Sequence, residues 1–415
     1  MVVFSVLPRS ALWAFAALLT VALMPLGARV SASSGSPAAS FKPAGFADLP
    51  GWEADDHAAA FAAFLKSCSR IQAAARAGNK TGKIAIPPEL LAACAEAARL
   101  PAKIDQKAAR SFFEAWFQPH TVVHKGSSGL LTGYYEPVLD GSRKADGRFR
   151  TPIYKRPPDL VNLVEEAQRA VKGATLTHAR RTPNGVVPYA TRAEIEGGSL
   201  KGQGLELIYL ADSIDVFFMQ IQGSGRISLT DGTKIRVHYD GKNGHPYTSI
   251  GRYLIDKGLL AADKVSLEAL QKWLRADPER GRQVMHQNAS YVFFRELRGA
   301  EAENVLGVLE IPLTPGRSLA VDAGVHALGT PIYVTAPTLT HALKGKPFQR
   351  LMIAQDVGSA IKGPERGDIY FGSGLEAGKL AGVTKHPGRY FVLLPRKDGA
   401  VAAPALKVRT KQAGQ

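Results

Sequence analysis

The chain has 415 residues, an ordinary globular composition, and a formal charge of +16 from 52 basic and 36 acidic side chains. That length is enough for two domains with full cores. The positive excess favours an anionic partner such as nucleic acid, phospholipid head groups or an acidic cell-wall polymer, but no RNA-binding aromatic motif, zinc finger or basic helix accompanies it, so charge alone does not argue for nucleic acid.

Arg9, the apolar run 11–26 and the small residues Val30-Ser31-Ala32 read as an export signal over residues 1–32. The run is short for a membrane span and leads into Ser-rich sequence, not a basic stop-transfer flank; an uncleaved anchor is the alternative. No cysteine lies near the cleavage site, so no lipid-bearing cysteine is expected. Residues 33–42 read as a flexible leader. Residues 55–76, 87–100 and 105–116 read as helices, with Asp55 and Asp56 as candidate caps, Pro87-Pro88 opening the second, and Phe112, Phe113 and Trp116 on one packing face of the third. Cys68 and Cys94, the two cysteines of the chain, fall in the first two helices. They read either as a disulfide suited to an exported protein or as two buried thiols, and they do not make a metal site.

From residue 126 the period shortens. Residues 131–138 and 151–156 read as strands, 191–198 as a short helix with Thr191 and Glu194 as its capping box, and 207–210 and 216–222 as strands. Residues 227–229 and 234–239 read as a hairpin about Asp231-Gly232. Helices are expected at 249–257 and 267–277. Short strands follow at 305–311, 320–321, 331–335, 351–354, 368–371 and 390–394, then a basic tail that reads as disordered. Helices first and short strands after imply an α+β fold, mainly β, with closed or barrel-like sheets.

Candidate chemistry is densest in RLMIAQDVGSAIKGPERGDIYFGSG, residues 350–374. An apolar run delivers Asp356, a turn passes through Lys362 and Gly363, and Asp368 opens the next strand. Two carboxylates about a glycine-rich turn, with Lys362 and Arg366 between them, suit general acid–base work on a polar substrate; turn capping is the plainer reading of the same aspartates. Gly223-Ser224-Gly225 and Gly372-Ser373-Gly374 lack a nucleophile-elbow pattern, the ten histidines include no HExxH, and there is no Walker loop. Asp322 and Asp356 each begin an Asp-x-Gly, as in an aspartic protease, but without Thr or Ser between and only 34 residues apart. Glycan chemistry accounts for more of the chain. Tyr134, Tyr135, Gln220, Gln222, Ser224, Asn243, His245 and Tyr247 bring aromatic faces and hydrogen-bonding groups to glycine-rich stretches, and a groove between two domains is where they would act.

The blocks LTGYYEPV, TPIYKRPP, TRAEI, IQGSGRI, GKNGHPYTSIG, ASYVFF, QDVGSAIKGPERGDIYFGSG and GRYFVLLP, in this order from Leu131 to Leu394, resemble the membrane-bound lytic murein transglycosylase A family. The resemblance implies a double-psi β-barrel domain built from 33–136, with the N-terminal helices, and 299–395. It also implies a second β-barrel inserted as 137–298, a tail over 396–415, and a glycan lying in the groove. It further implies an exported, periplasmic lyase that cleaves the β-1,4 bond between N-acetylmuramic acid and N-acetylglucosamine of peptidoglycan without water, leaving a 1,6-anhydro end and using no cofactor or metal. Asp368 matches the family's catalytic acid, and Asp356 and Asp322 match supporting carboxylates. Thr132, Tyr134, Gln222, Ser224, Lys362 and Tyr370 match positions facing the groove. The expected partner is a peptidoglycan glycan strand, with outer-membrane or wall-remodelling proteins beyond it; nucleic acid is not expected, and the chain is expected to be a monomer. The missing lipobox cysteine departs from the family's membrane anchor. A single acid–base aspartate needs a raised pKa, from burial or from a like charge such as Asp356, and Lys362 is then expected to face the substrate. The non-enzymatic alternative is a wall-binding module of the expansin-like type, because fold does not fix function.

Overall fold

The computed structural model describes residues 39–78, 86–125, 129–163 and 176–397, so the expected export signal and the tail from residue 398 lie outside the described residues. Of the expected leader, residues 33–38 lie outside the described residues, and 39–42 belong to strand β1 (Ala39–Pro43), paired antiparallel with β2 (Phe117–His124). Phe41 packs against a buried core, a partner that local composition does not reveal.

Helices α1 (His57–Arg76), α2 (Pro88–Ala97) and α3 (Gln106–Trp116) form as the caps predict. Asp56 and Asp105 accept from the backbone N–H groups of Ala59 and Ala108, at 3.0 and 2.7 Å. Phe61, Phe64, Phe112 and Phe113 pack with Trp52, Phe117, Tyr333 and Leu351 in one buried cluster. A Cys68–Cys94 disulfide joins α1 to α2 across 26 residues of sequence. Closing a loop of that length restrains the unfolded chain by about 3–4 kcal/mol. Replacing both cysteines with serine is expected to lower the urea midpoint by a corresponding amount; an unchanged midpoint would mean that the packing of α1 on α2 suffices. Arg317 donates twice to Asp55, at 2.9 Å each, and this buried pair ties the helical segment to the sheet beyond it.

After β3 (Gly129–Glu136) come β4 (Val138–Ser142), β5 (Thr151–Tyr154), β6 (Leu160–Asn162), β7 (His178–Thr182), β8 (Gly185–Val187), the short α4 (Arg192–Glu194) and β9 (Glu206–Leu210). Next are α5 (Ser213–Gln222), β10 (Ser224–Leu229), β11 (Lys234–Lys242), α6 (Ile250–Asp256), α7 (Leu267–Ala276), α8 (Pro278–Met285) and β12 (Val292–Leu297). The chain closes with β13 (Ser318–Val321), β14 (Pro331–Ala336), β15 (Phe348–Val357), β16 (Arg366–Ser373), α9 (Leu375–Val383) and β17 (Lys385–Pro395).

Six of these strands close a ring, β17–β14–β15–β13–β16–β3 and back to β17, with β2 and β1 extending from β17. Within it β13 runs parallel to β15, and β16 to β3; the other neighbours are antiparallel. Leu131, Leu319, Val321, Ile332, Val334, Met352 and Ile369 fill its core, each alternating along its strand with residues that face outward. The intervening chain makes a sheet in the order β12–β11–β10–β4–β9–β5 and a small sheet β6–β7–β8. Its end strands β12 and β5 do not pair with each other, yet Phe294 and Ile153 from those ends share an apolar core with Ile208, Ile227 and Val237. The sheet thus curls about that core without a closing ladder among the described residues.

Two expected strands are not strands. Residues 216–222 belong to helix α5, because the run VFFMQIQ is apolar on both faces and too short for its period to decide. The caps decide instead: Asp212 accepts from the Ile214 N–H at 2.8 Å, and Gly223 ends the helix at φ +79°. Residues 305–311 form a loop closed by a single bridge between Leu306 and Pro312.

Candidate active site

The register of the ring sets the site. Cα pairing runs from Asp356 on β15 to Ala320 on β13, then to Asp368 on β16 and Thr132 on β3. Residues paired across neighbouring strands share a face, so this row points away from the core residues Leu319 and Ile369. Two strand spacings, about 9–10 Å, separate the backbones of Asp356 and Asp368, with only the Ala320 methyl between them.

Thr132 donates its hydroxyl to Asp368 Oδ1 at 2.5 Å. Burial raises the Asp368 pKa above the ordinary carboxylate value, against the pull of the Thr132 hydrogen bond and of the Arg366 charge. Desolvation therefore does the work that the sequence left open between burial and a like charge. Asp356 is occupied with structure: its Oδ2 accepts from the Tyr134 hydroxyl at 2.9 Å and its Oδ1 from the Val308 N–H at 3.1 Å. That second bond holds the 305–313 loop to the ring. Asp322 is fully buried and accepts from the N–H groups of Gly324 and Gly363, at 3.1 and 2.8 Å. His326 Nε2, 2.7 Å from the Pro364 carbonyl, is a second tie between the same two turns. Asp322 thus fixes the turn that carries Lys362.

The row opens on a cleft of about 810 Å³ between the ring and the inserted sheet. Thr132, Tyr134, Gln222, Ser224, Asp356, Lys362 and Asp368 all line it. Gln222 comes from the last turn of α5 and accepts from the Tyr135 N–H at 3.0 Å; Ser224 opens β10. Lys362 is exposed at the cleft, and partial burial lowers its ammonium pKa while the Asp322 charge opposes the fall. Arg366, not Lys362, is the cation that acts on Asp368.

Asp322 and Tyr370 do not line the cleft. Tyr370 shares a face with Asp368 but packs against Tyr134, ring centroids 5.3 Å apart, in a buried cluster with Val305, Leu313 and Ile361. Its phenol is raised to about 12, chiefly by burial. The expected groove position is therefore corrected to a support beneath the wall. Lys242 is a cleft residue that sequence reasoning missed. From the end of β11 its ammonium donates to Ser359 Oγ at 3.2 Å, reaching the turn between the two aspartates. Lys242 lies in the block GKNGHPYTSIG, where nothing local marks it as a cleft residue. Among the described residues no group of His, Cys, Asp or Glu side chains could hold a metal ion.

Residues 130–295 match the MltA specific insert domain and residues 317–394 match the 3D domain. The crystal structure of a membrane-bound lytic murein transglycosylase from Agrobacterium tumefaciens is 36% identical, with a TM-score of 0.77 over 86% of this chain and 98% of that one. The chain belongs to the membrane-bound lytic murein transglycosylase A family. Relatives of that name from Vibrio cholerae and Escherichia coli are 36% and 37% identical over 273 and 267 residues, or 65% and 63% of this chain. The match spans 66% and 65% of those relatives' own lengths. The crystal structure of Escherichia coli MltA with bound chitohexaose is 29% identical, with a TM-score of 0.58 over 87% of this chain and 92% of that one. The 3D match runs through β13 to β17 and contains Asp322, Asp356 and Asp368, while the insert match takes in Thr132, Gln222 and Ser224. The cleft thus gathers side chains from both matched regions. No helix among the described residues is long and apolar enough to cross a membrane.

Proposed function

We propose that this chain is an exported, periplasmic lytic transglycosylase that cleaves the β-1,4 bond between N-acetylmuramic acid and N-acetylglucosamine in peptidoglycan, with Asp368 as its single acid–base group. The observation that carries this reading is a half-buried carboxyl, bonded to Thr132 and raised in pKa by burial, on the wall of a cleft large enough for several sugars. Protonated Asp368 gives its proton to the glycosidic oxygen as the C1–O bond breaks. The C6 hydroxyl of the same muramoyl ring then bonds to C1, and Asp368 takes back the proton that this hydroxyl loses. The product is a 1,6-anhydro end, and no water is consumed. One carboxylate serves because the nucleophile is tethered to the reacting ring, which supplies the entropic advantage of an intramolecular step. Hydrolytic glycosidases use a second carboxylate for water or for a covalent intermediate; here Asp356 lies two strands away and is engaged with Tyr134 and Val308.

In this reading Asp356 and Asp322 shape the loops around the acid, and Lys362 faces the muramoyl carboxylate. The ring is a double-psi barrel drawn from 33–136 and 299–395, and 137–298 is the inserted barrel. The partner is a glycan strand, the working form a monomer. Incubating the protein with purified murein and weighing the products tests the reaction. Anhydro-muropeptides are expected. Products heavier by one water would mean a hydrolase, and retention on murein with no product would mean a wall-binding module.

A further inference from the structure

Across the cleft from the acid, one turn of the inserted sheet is pinned on every side. Asn243 is fully buried; its Nδ2 donates to the carbonyls of Ala190 and Ala289 at 2.8 Å each, and its Oδ1 accepts from the Tyr291 N–H at 2.9 Å. His245 Nε2 lies 2.8 Å from the Tyr189 carbonyl, and Asn288 Oδ1 accepts from the Thr248 N–H at 3.1 Å. Gly244 has φ +88°, and a Cβ there would fall 2.2 Å from the His178 carbonyl oxygen, so the backbone is pressed against β7. This pinned turn presents Pro246 and Tyr247 to the cleft.

Tyr247 is half-buried. Burial raises its phenol pKa, against a hydrogen bond from the Ser249 side chain and the Arg192 charge, with the Asp368 charge the smallest contribution to the rise; Tyr247 and Asp368 line the same cleft. The phenol therefore stays neutral and its hydroxyl is engaged with the Ser249 side chain, which leaves the ring to meet a sugar. Tyr134, an aromatic on the ring side, is already committed, with its hydroxyl on Asp356 and its face against Tyr370.

We infer that Tyr247 is a substrate-positioning residue whose ring bears on the apolar face of the pyranose at the scissile bond and presses it toward Asp368. The inference deepens the proposed function and rests on it for the identity of the reacting sugar. An aromatic face offers the sugar's C–H groups a flat apolar surface, and a rigid mount limits the misplacement that would slow an intramolecular attack.

The test uses the full chain with Tyr247→Ala and Tyr247→Phe, measuring chitohexaose affinity by titration calorimetry and anhydro-product release from murein. Tyr247→Ala is expected to bind chitohexaose about tenfold more weakly and to lose turnover in kcat as well as in KM. Tyr247→Phe is expected to stay near wild type in both, and the thermal midpoints of the two variants should agree. Wild-type affinity in Tyr247→Ala, or an equal loss in Tyr247→Phe, would overturn the platform. A wild-type protein that yields no anhydro product but loses chitohexaose on Tyr247→Ala would retain the platform and remove only the proposed reaction.

Discussion

Asp368→Asn is expected to lower the release of anhydro-muropeptides by roughly 10²–10⁴-fold while chitohexaose affinity stays near wild type. The amide keeps the shape of the carboxyl and can still accept from the Thr132 hydroxyl, but it can neither give the glycosidic oxygen a proton nor retrieve one from the C6 hydroxyl. The wild-type rate should fall as pH rises past the raised pKa of Asp368, because the protonated form starts the reaction. The same group has a stability consequence of definite sign. Its folded-state pKa lies above the value of 3.8 for a free side chain, so the folded chain holds the proton more tightly than the unfolded chain does. Below a pH of about 3.8 both states are protonated and the group is neutral in effect. Through the window up to the raised pKa stability falls, and above it the full cost of a desolvated carboxylate remains. Asp368→Asn removes that cost, so the variant should melt at a higher temperature than wild type at neutral pH, with the gap closing in acid. Thermal scans across pH check this. Turnover within tenfold of wild type, or a lower melting temperature at neutral pH, would refute the role of Asp368. A gain in stability on losing activity is the expected trade at a site held in an unfavourable environment.

The aspartate row also separates what could be read from the chain and what could not. Ile369 between Asp368 and Tyr370, and Leu131 beside Thr132, follow the two-residue alternation of a strand with one face buried, so their opposite facing is written locally. The pairing of Thr132 with Asp368 joins residues 236 apart in sequence across a parallel ladder, and nothing near either residue encodes it. Tyr370 shows the limit of alternation. Its face was readable, but the roof over it comes from Val305, Leu313 and Ile361, which arrive from distant loops. Residues 216–222 failed for another reason: an apolar heptamer fits either period, and the deciding marks were Asp212 and Gly223 at its flanks. The amide of Gln222 in a glycine-rich stretch points to glycan binding, and it reaches the cleft as the end of a helix. The ring itself is the least legible feature, because its closure depends on β17 pairing with β3 at one edge and with β14 at the other.

Glu136→Ala is expected to destabilise the protein by about 3–5 kcal/mol, the usual cost of leaving a buried charge without its partner. Glu136 ends β3 in the ring and is fully buried. Arg236 on β11 of the inserted sheet donates to it from Nε at 2.5 Å and from Nη2 at 3.2 Å, and is itself only 2% exposed. Ser373 at the end of β16 donates to the same carboxylate at 2.7 Å, and Arg226 on β10 lies 3.7 Å away. One carboxylate therefore joins two ring strands to two strands of the inserted sheet, on the same face of β3 that carries Thr132 and Tyr134. Without it the Arg236 guanidinium keeps its bond to the Ala302 carbonyl but must hold a charge in a dry site. Removing both charges as Glu136→Leu with Arg236→Met should recover most of the loss, because the pair's attraction roughly balances its desolvation. Urea denaturation of the two single variants and the double variant measures this cycle. A loss below about 1 kcal/mol in Glu136→Ala, or a double variant no better than either single one, would mean that water reaches this junction and that the ring and the inserted sheet are held together by their apolar contacts instead.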